Sequence, residues 1–243
     1  MYLSWIIPAY SEERRIAKTL QEVSTYLQAR NFPGGFEIIV ANSASADRTV
    51  EIVEDLKSEI PHLELLNLEN RGKGWAVTQG MLAAKGAVRL FSDADNSTAP
   101  EYFDAMIPLF HRGYGVVISS RDPKDAPGAS RDVKEPWYRE LFGHLGNLLI
   151  QLFGVSGIWD TQNGFKAFSA KAAGEIFSRS RITGFAFDIE VLALARRLGY
   201  RIGIIPVQWR FDPDSKVTWK AYCAVFLDVF RIRWNLLINA YKL

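Results

Sequence analysis

Val88-Arg89-Leu90-Phe91-Ser92-Asp93-Ala94-Asp95 runs from a short apolar segment straight into two carboxylates one residue apart. The apolar part has the length of a buried strand, and the acids fall at its C-terminal end. Two side chains so placed can approach one cation if the backbone turns there. Hard oxygen ligands suit Mg²⁺ or Mn²⁺, and such ions commonly bridge protein carboxylates and substrate phosphates. Two acids in a solvated turn are ordinary by themselves. The strongly apolar run before them, and the polar Ser97 and Thr98 after them, favour the metal-binding reading.

Outward from this stretch the same alternation repeats. Candidate strands at residues 3–7, 36–41, 63–66, 88–92 and 115–120 alternate with candidate helices at 12–29, 48–59, 74–85 and 100–111. The first helix carries Ile16, Leu20, Val23 and Leu27 at helical spacing. Pro100 stands where a first helical turn accepts proline. This order predicts an α/β fold, a single Rossmann-like, mostly parallel sheet flanked by helices. Phe36-Glu37-Ile38-Ile39-Val40 is apolar enough for a sheet buried on both sides. Ligands of such sheets bind beyond the carboxyl ends of the strands. The expected functional surface is therefore residues 8–12, 42–47, 70–73 and 93–98, with Arg121.

Beyond Arg121 the pattern changes. Residues 122–136 read as a long loop, 138–153 as a helix, 170–178 and 187–198 as helices, 202–209 as a strand, and 219–241 as a long helical pattern. No repeat or linker appears, so residues 1–243 read as one domain, with 219–243 a C-terminal helical extension. The 243 residues are 48% hydrophobic, ample for one sizeable core. Lys+Arg 29 against Asp+Glu 27 gives a net charge of +2, without the basic excess of a nucleic-acid binder. The lone Cys223 forms neither an internal disulfide nor a thiolate zinc site. The first residues lack a signal peptide's basic start. No stretch offers the ~20 apolar residues that span a bilayer. The expectation is a cytoplasmic protein.

Three further segments carry polar groups. Asn70-Arg71-Gly72-Lys73-Gly74 is basic and glycine-rich and opens a helix, whose N-terminus favours anions. An ordinary surface turn fits it equally well. Ser11 can cap the helix that follows the first strand. Asp160-Thr161-Gln162-Asn163-Gly164-Phe165-Lys166 and Gly184-Phe185-Ala186-Phe187-Asp188-Ile189-Glu190 set ionisable groups among aromatic ones. Their acids are either solvated caps or site residues, and composition does not separate the two.

These motifs, in this order, resemble glycosyltransferase family 2. The resemblance runs from Ile6-Ile7-Pro8-Ala9-Tyr10-Ser11-Glu12 through Asp47-Arg48-Thr49, the Asn70 loop, Asp93-Ala94-Asp95 and Ser119-Ser120-Arg121. It continues with the Asp160 and Gly184 segments, Pro206-Val207-Gln208-Trp209 and Ser215-Lys216-Val217. The Asp160 segment is similar to the D-T-Q-C-G-F-K signature of dolichyl-phosphate β-glucosyltransferases. The resemblance implies a GT-A fold, a nucleotide-sugar donor and a polyprenyl phosphate acceptor. It implies that Pro8, Tyr10 and Glu12 lie by the nucleotide base and ribose. Asn42, Lys73, Asp160 and Gln162 complete the expected donor contacts. Asp93 and Asp95 are expected to hold metal and donor, with Ser97 as a further metal contact. Arg121 and Arg139 are expected to meet phosphate groups, and Lys216 to reach the diphosphate.

One departure bears on the nucleotide. Family members often read V-D-D-G-S-x-D-x-T after the second strand, and this chain reads Val40-Ala41-Asn42-Ser43-Ala44-Ser45-Ala46-Asp47-Arg48-Thr49. Asn42 both donates and accepts where a carboxylate only accepts. The expected reaction is an inverting transfer of a hexose, best matched by glucose from UDP-glucose. GDP-mannose as donor, a soluble glycan as acceptor, or nucleotide-sugar binding without turnover are the alternatives. A lipid acceptor calls for a membrane surface. The apolar faces of 138–153 and 219–241, with Trp219, Trp234 and Tyr241 near Lys220, Arg231, Arg233 and Lys242, fit a peripheral position on the cytoplasmic face. Packing of those faces on the core, or on a second copy in a homo-oligomer, fits them equally.

Overall fold

The computed structural model of the chain describes residues 2–131, 146–209 and 219–243. Seven strands form the central sheet: β1 (Leu3–Ala9), β2 (Phe36–Ser43), β3 (Leu63–Leu68), β4 (Val88–Ser92), β5 (Val116–Ser120), β7 (Phe165–Ser169) and β8 (Ile202–Pro206). Two short strands, β6 (Ser130–Arg131) and β9 (Gln208–Trp209), pair separately. The sheet order is β3-β2-β1-β4-β7-β5-β8. Strand β1 runs parallel to β2 and β4, β2 to β3, and β5 to β8. Strand β7 is antiparallel to both β4 and β5.

The reversed strand positions the site. Because β7 runs against its neighbours, the segment entering it, residues 160–164, lies at the same edge as the carboxyl ends of β4 and β5. The sequence reading had no strand there. Lys166 interrupts the apolar run Phe165-Lys166-Ala167-Phe168 and makes it look like part of a polar motif, whereas in the fold Lys166 is fully buried.

The helices are α1 (Ile16–Gln28), α2 (Thr49–Leu56), α3 (Lys73–Ala83), α4 (Phe103–His111), α5 (Ala170–Phe177), α6 (Phe187–Arg197) and α7 (Trp219–Leu237). A 3₁₀ turn at Pro100–Tyr102 leads into α4 with its proline at the start, as expected. Helix α1 begins later than the sequence predicted. Ser11 takes a left-handed φ of 55° and its N–H donates to Ser45 Oγ, so it caps no helix, and the regular turns start at Ile16. Residues 146–149 are helical and pass into a π turn at Ile150–Gly154.

Strand side chains alternate between two cores, as the two-residue period requires. Trp5, Ile7, Ile38, Val40 and Leu90 pack with α1, α2 and α4. Ile6, Ile39, Phe91 and Phe168 pack with α3, α5 and α6. Trp5 is fully buried, donates from Nε1 to Ser92 Oγ (2.8 Å), and meets the rings of Tyr26, Phe103 and Phe165 edge-on. An aromatic side chain buried this completely contributes roughly 2–3 kcal/mol.

Helix α7 has two apolar faces. Val229, Ile232 and Leu236 join the second of these cores. Leu227, Phe230, Trp234, Leu237 and Ile238 point to solvent at helical spacing. Leu148 and Leu152, on the helical segment packed beside α7, are exposed as well, and Phe153 meets Phe230 with ring centroids 5.2 Å apart. Internal packing therefore accounts for only one of the two faces. Among the described residues, no helix is long and apolar enough to cross a membrane.

Candidate active site

The carboxyl ends of β1 to β5 and the entry to β7 converge on the Asp93–Asp95 turn. Asp93, Asp95, Asn96, Ser97, Thr98, Asn163, Gly164 and Trp209 line one small cleft. The Asp93 N–H donates to the Gly164 carbonyl (3.0 Å), which ties the turn to the Asp160 segment. The Asp93 carboxylate lies flat against Gly164, where a Cβ would overlap it. Only glycine leaves room there, which explains the glycine just before an otherwise bulky strand. Lys73 Nζ pairs with Asp93 Oδ1 at 2.6 Å. Burial opposes the Lys73 charge, yet Asp93, Asp188 and Asp95 together hold the ammonium above the ordinary lysine value. The Asp95 carboxyl is pushed up by burial and by the Asp93 charge beside it.

The Asn70–Gly74 loop is seated by Ser43, one of the two residues that stand where the family often has acids. Ser43 Oγ donates to the Asn70 carbonyl (3.0 Å) and accepts the Gly72 N–H (2.9 Å). Asn42 Nδ2 donates to Asn67 Oδ1 (2.6 Å), and Asn42 Oδ1 accepts the Ser45 N–H (3.4 Å). Ala44 holds a left-handed φ of 54°, a conformation glycine adopts more easily. Gly72 has a φ of 138°, and a Cβ on it would strike the Thr183 carbonyl, the same carbonyl that accepts the Trp75 N–H (3.1 Å). Ser43 and the close seating of Gly72 on the Thr183 carbonyl hold the loop that brings Lys73 to Asp93.

On the other side of the cleft, Arg121 follows β5. Its Nε and Nη2 donate to the two oxygens of Asp160 at 2.8 and 2.7 Å, and its backbone N–H adds a third bond of 2.7 Å. The guanidinium lies 5.3 Å from the Trp209 ring centroid. Asp160 is 3% exposed, and its two carboxylate oxygens hold the Arg121 fork. The backbone N–H groups of Trp159 and Asp160 donate in turn to Asp125 (2.7 and 2.8 Å), which also accepts Ser120 Oγ (2.8 Å). Asp125 and Trp209 went unmarked in the sequence as site residues; a half-buried acid bonded to the Asp160 segment and an aromatic beside Arg121 become legible only when the sheet brings them together.

The remaining expected residues divide as follows. Pro8 closes β1, and Tyr10 is exposed, with the Arg71 guanidinium 5.2 Å from its ring centroid. Glu12 is buried against Arg15, whose Nη2 reaches it at 3.1 Å, and its N–H donates to Thr49 Oγ1 (2.7 Å). Gln162 is half-buried beside Asn163. Arg139 and Lys216 lie outside the described residues.

Asp188 and Glu190, which composition left undecided, are buried rather than solvated. Asp188 pairs with Lys166 Nζ at 2.5 Å, and Lys166 also donates to the Asn163 carbonyl (2.6 Å). Burial pulls the Lys166 amine down and pushes the Asp188 carboxyl up. Glu190 accepts Ser180 Oγ, the N–H groups of Arg181 and Ile182 (each 3.0 Å) and the Tyr241 hydroxyl (2.8 Å).

The cleft suits a hard divalent cation. The Ser97 hydroxyl and Asn96 Oδ1 are buried without a hydrogen-bond partner on the same turn as the two carboxylates. Among the described residues no cluster of three or more His, Cys, Asp or Glu side chains could hold a metal. A cation here would rest on Asp93, Asp95, neutral oxygens and the ligand's own phosphates, as Mg²⁺ sites commonly do.

The mostly parallel sheet with one reversed strand, and the polar cleft at its carboxyl edge, have the GT-A fold of the solved structures they superpose on. Glucosyl-3-phosphoglycerate synthase from Mycobacterium tuberculosis, solved with Mn²⁺, UDP and phosphoglyceric acid, superposes with a TM-score of 0.68 over 95% of this chain and 76% of that one, at 18% identity. Mannosyl-3-phosphoglycerate synthase from Rubrobacter xylanophilus gives 0.69 over 100% and 76%, at 17% identity. The chain belongs to glycosyl transferase family 2, whose model matches residues 4–177. It is 32% identical to a dolichyl-phosphate β-glucosyltransferase of Trichomonas vaginalis, over 100% of this chain and 76% of that protein. It is 33% identical to the Drosophila melanogaster dolichyl-phosphate β-glucosyltransferase, over 99% and 77%.

Proposed function

We propose that the protein transfers glucose from UDP-glucose to a polyprenyl phosphate of the dolichyl phosphate type. The observation that carries this is the similarity to dolichyl-phosphate β-glucosyltransferases along the whole chain, with the Asp93–Asp95 turn, Lys73 and Arg121 gathered at one edge.

An acceptor phosphate is anionic at neutral pH and needs no protein base. Its oxygen attacks the anomeric carbon as the bond from that carbon to the diphosphate oxygen breaks. The electron pair leaves with UDP, and the in-line displacement turns an α-linked donor into a β-linked product. Asp93 and Asp95, with Ser97, would hold Mg²⁺ or Mn²⁺, which when bound neutralises charge on the departing diphosphate. The Mycobacterium tuberculosis synthase with this fold holds Mn²⁺ and UDP together. Lys73 and Arg121 supply fixed positive charge, with Asp160 and Asp125 positioning Arg121. Arg139 and Lys216 add cations for the phosphates of acceptor and donor. Pro8, Tyr10, Glu12 and Asn42 form the nucleotide side, and Gln162 meets the sugar. The exposed stripe of α7 lies in the bilayer interface, giving the chain a peripheral place on the cytoplasmic face.

A donor and acceptor screen tests this. With short-chain polyprenyl phosphate, UDP-glucose is expected to yield UDP and glucosyl lipid in equal amounts. GDP-mannose is expected to be at least about tenfold poorer, the discrimination a few lost polar contacts provide. Equal use of GDP-mannose, or transfer only to free sugars, would overturn the assignment.

A further inference from the structure

Away from the cleft, a cavity of about 420 Å³ is walled by residues 178–181 and 240–242. It shares no residue with the Asp93–Asp95 cleft. Arg179, Arg181 and Lys242 give it three positive charges, and no acidic residue lines it. None of the three forms an ion pair among the described residues. The nearby Glu190 is fully buried and already accepts the four donors named above.

The wall is braced rather than loose. Arg181 Nη2 donates to the Ala240 carbonyl and its guanidinium lies 5.8 Å from the Tyr241 ring centroid. Arg179 Nη1 donates to the Glu175 carbonyl (2.7 Å). Each guanidinium keeps further N–H groups for an incoming acceptor, and arginine forks match phosphate oxygens. Residues 240–242 continue directly from Leu237 and Ile238, the end of the exposed apolar stripe of α7, and Leu243 beyond them is exposed too. A basic cavity beside exposed apolar side chains reproduces the layering of a bilayer interface, phosphate next to acyl chain. Residues 178–181 lead along the chain to Thr183, whose carbonyl accepts the Trp75 N–H beside the loop that carries Lys73.

We propose that this cavity binds the phosphate of an anionic phospholipid headgroup and seats the outer face of α7 on a negatively charged bilayer. The inference rests on the lipid-acceptor reading above, and adds to it a second phosphate site that takes no part in the transfer. Arg179 and Arg181 would donate to the non-bridging oxygens, and Lys242 would add a point charge.

Vesicle flotation tests it with phosphatidylcholine vesicles and with vesicles that also contain phosphatidylglycerol. Three basic residues at about fivefold each give the wild type an advantage on the order of 100-fold on the anionic vesicles. R179Q/K242Q spares the bracing Arg181 and should lose about 25-fold of that advantage. Its weaker binding to neutral vesicles, and its transfer to a short-chain acceptor in detergent, should stay at wild-type level. If the double variant folds poorly by circular dichroism, K242Q on the exposed terminal turn should lose about fivefold. Wild-type affinity of the folded variants for anionic vesicles would overturn the headgroup site. Inorganic phosphate at matched ionic strength should compete for the same donors and weaken binding to the anionic vesicles, and binding indifferent to phosphate would count against a phosphate site. A protein that glucosylates polyprenyl phosphate but ignores anionic vesicles would sink the headgroup site alone. Headgroup-dependent flotation without any transfer to polyprenyl phosphate would instead sink the acceptor reading.

Discussion

Gly164→Ala is expected to lower kcat/KM for transfer by about 100-fold, the cost of misplacing a reacting group by roughly an ångström. The new methyl group would occupy the space of the Asp93 carboxylate. The Asp93 N–H bond to the carbonyl of the same glycine holds the two backbones together, so the carboxylate is the part that must move. Rotation of the carboxylate would break its 2.6 Å pair with Lys73 and disturb the oxygen set offered to a cation. The fold itself should lose about 1–3 kcal/mol, the usual cost of one methyl forced into a tight site. Steady-state kinetics over a range of Mn²⁺ concentrations, beside a thermal melt, separate the two effects. Wild-type kinetics would show that the Asp93 position is unimportant to transfer.

Lys166→Met is expected to destabilise the protein by about 3–5 kcal/mol, because it leaves Asp188 buried without its counter-ion. The double variant Lys166→Met/Asp188→Leu should recover most of that loss, since a buried ion pair exchanged for apolar side chains is often neutral. Urea unfolding of the two variants beside the wild type measures both numbers. A double variant as unstable as the single one would mean that the pair is not what stabilises this part of the core. A single variant as stable as the wild type would mean that Asp188 is easily neutralised in place.

Much of the sheet was legible in the chain. Runs such as Leu3-Ser4-Trp5-Ile6-Ile7 and Val88-Arg89-Leu90-Phe91-Ser92 have the length and apolar character of buried strands, and polar motifs follow them directly. That coincidence placed Lys73, Asp93, Asp95 and Arg121 at one edge before any coordinates. Strand β7 was not legible, because a lysine inside a five-residue run signals exposure unless its partner is known. The partner, Asp188, stands on α6 and meets Lys166 only through the tertiary fold. The same blindness hid Gly164. Its requirement comes from a carboxylate on the turn after β4, not from a turn of its own.

The replacement of the family's acids by Asn42 and Ser43 has a structural reading as well. In the sequence it bore on the choice of nucleotide and on the alternative of nucleotide-sugar binding without turnover. In the fold, Ser43 anchors the Asn70–Gly74 loop and Asn42 bonds to Asn67 across to β3. Ser43 therefore helps to seat the loop that carries Lys73, while Asn42 ties β2 to β3. The outward stripe of α7 lay between two readings, and its two faces now divide the work, one in the core and one in solvent.

Transfer from UDP-glucose to polyprenyl phosphate by the wild type and by Asp95→Ala, followed as UDP release and glucosyl lipid in excess Mn²⁺ or Mg²⁺, tests the central assignment most directly. The expected result is β-glucosyl lipid from the wild type, abolished by chelation, and a loss of at least about 100-fold in the variant. Full activity of Asp95→Ala in excess metal, or no glucosyl lipid from the wild type, would contradict it.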